Sequence, residues 1–250
     1  MYINDTHLGF YLIAAILGLG IGQLVDWMNK RLPENKKIFT LDIIRKYKIE
    51  FKPNYILMLM TSAIYVGLVY KFGIQDSFIA NLELIRYLIL TPMLLSAFVI
   101  DHKHQMIPNR LNLTIFEIGL LIAFFYGMSN VAITIDLLLG MLAGGLIFLI
   151  IALIKWLIYG KEAIQMNDIK FMAALGLYFG LANITIIGII GFLIGAIITI
   201  LLAIFKREKL SVNISFGAFV VIATFITIFI PFGILVNTLK IIFTLGMYKA

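Results

Sequence analysis

The sequence predicts an all-α polytopic membrane protein with about eight transmembrane helices in a compact bundle. Hydrophobic residues make up 62% of the 250 residues, charged residues make up only 13%, and the mean hydropathy is +1.04. A soluble domain of this size could not bury so much apolar surface. The apolar runs are continuous rather than alternating, which favours helices over the strands of a membrane β-barrel. We therefore predict a single integral membrane domain, residues 1–250.

Composition also limits the chemistry and the partners. The chain has no cysteine, which excludes disulfides, cysteine zinc sites and thiol catalysis. Its formal net charge is +7, and a basic protein can bind nucleic acid. Here the basic residues cluster in loops that are predicted to face the cytoplasm, where anionic lipids lie. We expect the lipid bilayer, and not nucleic acid, to be the partner of this charge.

The first predicted transmembrane helix covers residues 9–28, close to the roughly 20 residues that a span requires. Basic residues follow this run, at Lys30 and Arg31, whereas a cleaved signal peptide carries them in front. This order places the N-terminus outside. Residues 29–54 hold eight basic and three acidic residues and are predicted to form a basic cytoplasmic loop. Apolar residues between 39 and 47 favour a short helix at the membrane interface.

The rest of the chain alternates between apolar runs and short polar connections. Residues 171–205 are too long for one span, and Gly180 begins the predicted break into a short and a longer helix. The tail, 232–250, fits either a re-entrant or a surface segment. Most of the 20 basic residues fall on flanks that this topology places in the cytoplasm. The other predicted spans cover about 55–71, 85–100, 111–128, 132–158 and 214–230.

Two aspartates at predicted span ends are the candidates for chemistry. Asp101 closes one apolar run and Asp168 opens another, both on the predicted cytoplasmic side. Either aspartate alone is explained as an interfacial capping residue. Together they can form a dyad, because two carboxylates in close approach cannot both ionise. One can then activate a water while the other protonates a carbonyl or a leaving amine, which is peptide hydrolysis without a covalent intermediate.

Residues beside the aspartates have structural as well as functional explanations. Pro108 is predicted to open the next helix and to aim Asp101, and Asn109 and Asn112 are expected to cap that helix. Lys170 is expected either to stabilise an ionised Asp168 or to reach lipid headgroups.

His102 and His104 flank Asp101 and suggest a metal site. No other histidine or cysteine is available to complete a zinc set, so we predict no metal.

Glycines recur inside the predicted spans. Gly18, Gly20 and Gly22 are spaced like a nucleotide-binding loop, but they lie within a span and follow no strand, so close helix packing is the better interpretation. The same small-residue spacing occurs in three later pairs, which predict a compact bundle: Gly140 with Gly144, Gly176 with Gly180, and Gly191 with Gly195.

Two segments resemble a known family. Residues 101–111, Asp-His-Lys-His-Gln-Met-Ile-Pro-Asn-Arg-Leu, resemble the first aspartate box of type IV prepilin peptidases, in which Asp is followed seven residues later by Pro and then by Asp or Asn. Residues 167–170, Asn-Asp-Ile-Lys, resemble the second box, whose core is Gly-x-Gly-Asp-x-Lys. Met166 and Asn167, within Gln165-Met166-Asn167-Asp168, stand in the places of its glycines. Residues 17–33 and 214–219 resemble the family's first span and its late Pro-Phe-Gly-Pro-Phe segment.

The resemblance implies an aspartic endopeptidase of the cytoplasmic (inner) membrane, which cuts the basic leader from prepilins or pseudopilins at the cytoplasmic face. It implies Asp101 and Asp168 as the catalytic pair, with Lys170, Pro108 and Asn109 in support and no cofactor for proteolysis. Many members also methylate the new N-terminus with S-adenosylmethionine. That activity is left open here, because the cysteine pairs that many bifunctional members carry in the first cytoplasmic loop are missing.

Two other functions compete with this one. The replaced glycines are also consistent with a catalytically weak or inactive relative that binds pilin-like helices and assists assembly. A small ion-coupled transporter would use Asp101 and Asp168 as a proton or cation site. It would place them nearer the bilayer midplane, whereas the sequence places them at span ends.

Overall fold

The computed structural model of the chain describes residues 2–4, 6–33, 53–159, 165–206 and 216–244. These residues form eight α-helices and one short hairpin, which confirms the predicted all-α polytopic class. In the hairpin, β1 (Tyr2–Ile3) pairs antiparallel with β2 (Thr6–His7). The helices are α1 Leu8–Arg31, α2 Tyr55–Phe72, α3 Phe78–His104, α4 Asn109–Ser129, α5 Val131–Tyr159, α6 Met166–Lys206, α7 Phe216–Phe229 and α8 Phe232–Phe243.

Helices α1 to α6 are long and apolar enough to cross a membrane, as judged within the described ranges. The apolar helices α7 and α8 are shorter, at 14 and 12 residues. Large apolar side chains such as Leu12, Ile16 and Phe124 are more than half exposed on the outside of the bundle. Such a surface suits contact with lipid. The chain is therefore a multi-pass membrane protein.

Helix α6 reverses direction at Gly180, as the sequence predicted. The backbone there has φ 72° and ψ 178°, a conformation open to glycine. Met172 and Gly188 would lie about 24 Å apart along a straight helix, yet the Met172 methyl group is 3.7 Å from where a Gly188 Cβ would stand. The two halves of α6 therefore lie side by side. Asp136 of α5 accepts a hydrogen bond at 3.2 Å from the N–H of Leu181, which opens the second half.

Glycines allow the closest helix contacts, as predicted. A Cβ on Gly18 or Gly22 would overlap the backbone of α2, whereas Gly20 of the same helix faces open space. A Cβ on Gly140 would stand 2.6 Å from the carbonyl oxygen of Gly176, and a Cβ on Gly176 would stand closer still to the carbonyl oxygen of Gly140. The pairs α1–α2 and α5–α6 therefore pack backbone against backbone.

Helix α3 is longer than the predicted span 85–100. It begins at Phe78, because the Ser77 hydroxyl accepts a hydrogen bond from the N–H of Ala80 at 3.2 Å and caps the helix. It continues past Asp101 to His104 and ends at Gln105, whose φ of 53° is left-handed. Asp101 thus lies inside the last helical turn and not after its end.

Some predicted features lie in or near ranges that are not described. The predicted interfacial helix at 39–47 and most of the basic loop, 29–54, lie outside the described residues. For the tail, where the sequence left two alternatives, the structure shows helix α8 directly after Pro231.

The core between α4 and the first half of α6 positions the polar segment after Asp101 against the polar segment before Asp168, at one end of the bundle. Phe171, Leu175 and Tyr178 of α6 are fully buried, as is Ile115 of α4. The Tyr178 hydroxyl donates to the Ile115 carbonyl at 2.9 Å. These contacts hold the start of α6 beside the start of α4.

Candidate active site

Asp101 is buried at the junction of α3 and α7. Only 2% of the residue is exposed, and its Oδ2 accepts a hydrogen bond at 2.7 Å from the N–H of Ala218, in the first turn of α7. The first N–H groups of a helix lack intrahelical acceptors and carry partial positive charge. This contact therefore stabilises the ionised form of Asp101.

Gly217 allows α7 to approach this closely. A Cβ at that position would stand 2.6 Å from the Oδ2 of Asp101 and 2.6 Å from the Cδ1 of Ile107. Any other residue at position 217 would push either the carboxylate or the loop side chain away.

Asp168 lies in the first turn of α6 and is 5% exposed. Its carboxyl group interacts electrostatically with Asp101, so the structure brings the two predicted aspartates together. Its backbone N–H donates to the Gln165 carbonyl at 3.0 Å. Its Oδ1 is buried and has no hydrogen-bond partner among the residues that the structure describes.

Two hydrogen bonds to main-chain carbonyls join the segments that carry the aspartates. The Gln165 side chain donates from Nε2 to the carbonyl of Gln105 at 2.7 Å. The Asn112 side chain donates from Nδ2 to the carbonyl of Asn167 at 2.8 Å. The end of α3, the start of α4 and the start of α6 are thus fastened to one another around the carboxyl groups.

Lys170 makes a third link between the segments. Its Nζ lies 3.0 Å from the Oδ1 of Asn109, and both residues are exposed. The sequence predicts either stabilisation of an ionised Asp168 or a contact with lipid headgroups for this lysine. The hydrogen bond to Asn109 is a different contact, because it joins the two aspartate segments at their solvent side.

The expected capping by asparagines was wrong. Pro108 occupies the N-cap position of α4, one residue before the predicted place, and no side chain caps this helix. The Pro108 carbonyl accepts the N–H of Leu111 at 3.0 Å. Instead, Asn109 accepts a hydrogen bond from Lys170 and Asn112 donates one to the Asn167 carbonyl, and both partners belong to α6.

The two histidines beside Asp101 are exposed. The ring of His102 stacks on Phe98, with the centroids 6.4 Å apart and the planes 7° from parallel. Within the described ranges, no three histidine, aspartate or glutamate side chains are grouped in a way that could hold a metal ion.

The structure also holds an apolar cavity of about 840 Å³. It lies between α5, the second half of α6 and α7, and Phe148 and Phe216 on its wall pack with ring centroids 5.4 Å apart. Its polar lining residues, Thr185 and Thr199, donate their hydroxyl hydrogens to carbonyls of their own helix. Phe216 directly precedes Gly217, but neither Gly217 nor Ala218 lines the cavity.

Sequence reasoning did not assign the contacts of Gly217, Ala218 and Asn112. Gly217 lies in a segment that resembles the family's late motif, and that was the available signal. Ala218 contributes a backbone N–H, which no side-chain pattern reveals.

Comparisons with known proteins agree with these observations. A model of the type IV leader peptidase family matches residues 88–247, which include both aspartates. The prepilin leader peptidase/N-methyltransferase of Aeromonas hydrophila is 30% identical over 144 residues, covering 56% of this chain and 48% of that protein. The protein of the same name from Xanthomonas campestris pv. campestris is 29% identical over 176 residues, covering 68% of this chain and 56% of that protein.

The chain spans about half the length of the curated relatives that it matches. No solved structure matches it. The family match covers more than half of the chain and includes the helices that carry Asp101 and Asp168. The chain therefore belongs to the type IV leader peptidase family.

Proposed function

We propose that the chain is an aspartic endopeptidase that removes the leader from a type IV prepilin or pseudopilin, with Asp101 and Asp168 as its catalytic pair. One observation carries this proposal: two buried carboxyl groups from distant segments interact at one end of the bundle. Burying two carboxyl groups together is costly, and such pairs are common at functional sites. The names of the relatives supply the class of substrate.

The two carboxyl groups have different surroundings and therefore different roles. Asp101 accepts the Ala218 N–H and is held as the carboxylate, which takes a proton from water. Asp168 has an Oδ1 without a fixed donor, so it carries the proton that the pair shares. Asp168 gives this proton to the carbonyl oxygen as the water attacks.

Lys170, Pro108 and Asn109 support the pair without touching it. Pro108 starts α4 immediately beside the loop that follows Asp101. Lys170 and Asn109 join α6 to α4 at the solvent side. We assign all three a positioning role.

We also propose that residues 1–250 form one peptidase domain, with the N-terminus outside and the catalytic pair at the cytoplasmic face. Gly18 faces Ser62 and Gly22 faces Met58, so α1 and α2 are antiparallel. The Tyr65 hydroxyl donates to the Leu88 carbonyl while Leu57 clusters with Leu95, so α2 and α3 are antiparallel as well. Helices α1 and α3 therefore run in the same direction, with Val25 and Leu95 in one buried cluster at similar depth. Lys30 and Arg31 at the end of α1 therefore lie at the same end of the bundle as Asp101. Basic residues favour the cytoplasmic side.

N-methylation by S-adenosylmethionine belongs to the names of the relatives. The described cavity does not fit that cofactor, because its wall is apolar and the ribose hydroxyls and the amino acid group would have no partners there. The activity is checked by mass analysis of the cleaved product with and without added S-adenosylmethionine.

The proposal is tested by co-expressing a prepilin with the wild-type chain, with Asp101→Asn or with Asp168→Asn. Each variant should leave the prepilin uncleaved on an immunoblot, and a metal chelator should not slow the purified wild-type protein. Processing at the wild-type rate by either variant would end the proposal. Ion flux in liposomes without cleavage would favour the transporter, although Asp101 and Asp168 lie at helix ends rather than mid-helix.

A further inference from the structure

Asn112 lies on α4 against the segment that carries Asp168, and one of its polar atoms is unused. Only 3% of the residue is exposed. Its Nδ2 donates to the Asn167 carbonyl, and this contact identifies the nitrogen and the oxygen of the amide. The Oδ1 on the other side of the amide is buried and has no hydrogen-bond partner in the described part of the chain.

A second unused oxygen belongs to the neighbouring group. The carbonyl that Asn112 holds is that of the residue before Asp168, and the Oδ1 of Asp168 is also buried without a partner. Leaving a buried acceptor unsatisfied costs free energy, so such atoms in a native site need an explanation. Two of them beside a catalytic pair are explained if both contact one water.

We propose that Asn112 is a positioning residue whose Oδ1 accepts a hydrogen bond from the nucleophilic water. This inference rests on the proposed function. The water donates one hydrogen bond to Asp101 and the other to the Oδ1 of Asn112. Its oxygen accepts a hydrogen bond from the protonated Oδ1 of Asp168. These three contacts leave one lone pair of the water for the scissile carbonyl carbon.

The hydrolytic step balances with these groups. When substrate binds, the O–H of Asp168 turns from the water to the scissile carbonyl oxygen. The water oxygen then forms a bond to the carbonyl carbon as its hydrogen passes to Asp101, and the proton of Asp168 moves to the carbonyl oxygen. The tetrahedral diol then collapses. The C–N bond breaks as Asp101 protonates the leaving nitrogen, and Asp168 recovers a proton from a diol hydroxyl. Asn112 exchanges no proton and acts only by orienting the water.

The test is steady-state cleavage of a purified prepilin by the full chain in detergent. Asn112→Leu removes the acceptor at similar volume and should lower kcat about 10²-fold with KM within about twofold, because the substrate contacts remain. Asn112→Ser keeps an oxygen and should give an intermediate kcat. Asn183→Leu is the matched control, since Asn183 donates to the Phe179 carbonyl at 3.1 Å near the Gly180 end of α6, away from the site.

A merely structural tie between α4 and α6 predicts a different result. In that case Asn112→Leu and Asn112→Ser lose equal cleavage activity, in proportion to the folded fraction measured by size exclusion. This result would overturn the inference. Wild-type kcat in Asn112→Leu would also overturn it. If Asn112→Leu does not fold, Asn112→Ser decides alone: a reduced kcat at unchanged KM supports the inference, and a wild-type kcat refutes it. Asp101→Asn and Asp168→Asn are measured in parallel, so that failure of the whole proposal is recognised separately.

Discussion

Gly217 and Asp101 are in such close contact that a Cβ on the glycine would stand 2.6 Å from the carboxylate Oδ2. The next residue, Ala218, donates its N–H to the same oxygen. The start of α7 therefore serves as a backbone cradle for one carboxyl group of the pair, and the cradle depends on the absence of a side chain at position 217.

Gly217→Ala should abolish most cleavage and lower the thermal stability. The added methyl group must displace Asp101 or Ile107, and overpacking of a buried site costs about 1–3 kcal/mol. Cleavage rate and the unfolding midpoint in detergent measure both effects. Gly233→Ala is the matched control, because nothing stands within 4 Å of a Cβ there. Equal behaviour of the two variants would show that the cradle is unimportant.

Gly140→Ala should destabilise the whole bundle rather than the site alone. The methyl group would meet the backbone of α6 at Gly176 and Gly180, which cannot move aside like a flexible side chain. The expected result is a lower unfolding midpoint in detergent and less folded protein. Gly20→Ala in α1 faces open space and should leave the midpoint unchanged. An unchanged midpoint in Gly140→Ala would contradict the close packing of α5 on α6.

Lys170→Ala should reduce cleavage a few-fold, since it removes the link between Lys170 and Asn109. Lys170→Gln keeps a hydrogen-bond donor without the charge and should restore much of the rate. Because both residues are exposed, the contribution of the bond is modest. The measurement is the cleavage rate of the wild-type chain, Lys170→Ala and Lys170→Gln at low and at high salt. If Lys170→Gln is as slow as Lys170→Ala and the loss deepens at low salt, the lysine acts through its charge on Asp168.

Restoring the family glycines distinguishes an active enzyme from an inactive relative. Counted back from Asp168, the two glycines of Gly-x-Gly-Asp fall at Gln165 and Asn167, so the assignment of one of them to Met166 was wrong. In the double variant Gln165→Gly/Asn167→Gly, the bond from Gln165 to the Gln105 carbonyl is lost, whereas the carbonyl of residue 167 still accepts from Asn112. We therefore expect equal or slower cleavage of a co-expressed prepilin. A large gain would mean that the native loop is catalytically impaired, as the rival hypothesis holds.

Much of this architecture follows from local patterns in the sequence. Long apolar runs predict the helices, and a glycine inside a run too long for one span marks the reversal at Gly180. The boundaries of α3 were less predictable, because the cap at Ser77 and the left-handed Gln105 extend it beyond its apolar run. The sequence also indicated that Asp101 and Asp168 share one end of the bundle.

The partners of these aspartates could not be read from the sequence. Ala218 acts through its backbone, and any residue carries such an N–H. Asn109 and Asn112 look like helix caps from their position after a proline, and only the tertiary placement of α6 turns their side chains toward Asn167 and Lys170. Contacts between segments some 60 residues apart along the chain depend on packing, which local propensity does not encode.

The central claim is that Asp101 and Asp168 act as one catalytic unit. The most direct measurement is a double-mutant cycle on the purified full chain, with cleavage rates for Asp101→Asn, Asp168→Asn and the double variant. When two groups act as one unit, the effects of mutating them on the rate are strongly non-additive. We predict that each single variant loses at least about 10³-fold and that the double variant is no slower than either. A wild-type rate in either single variant, or losses that multiply in the double variant, would contradict the account.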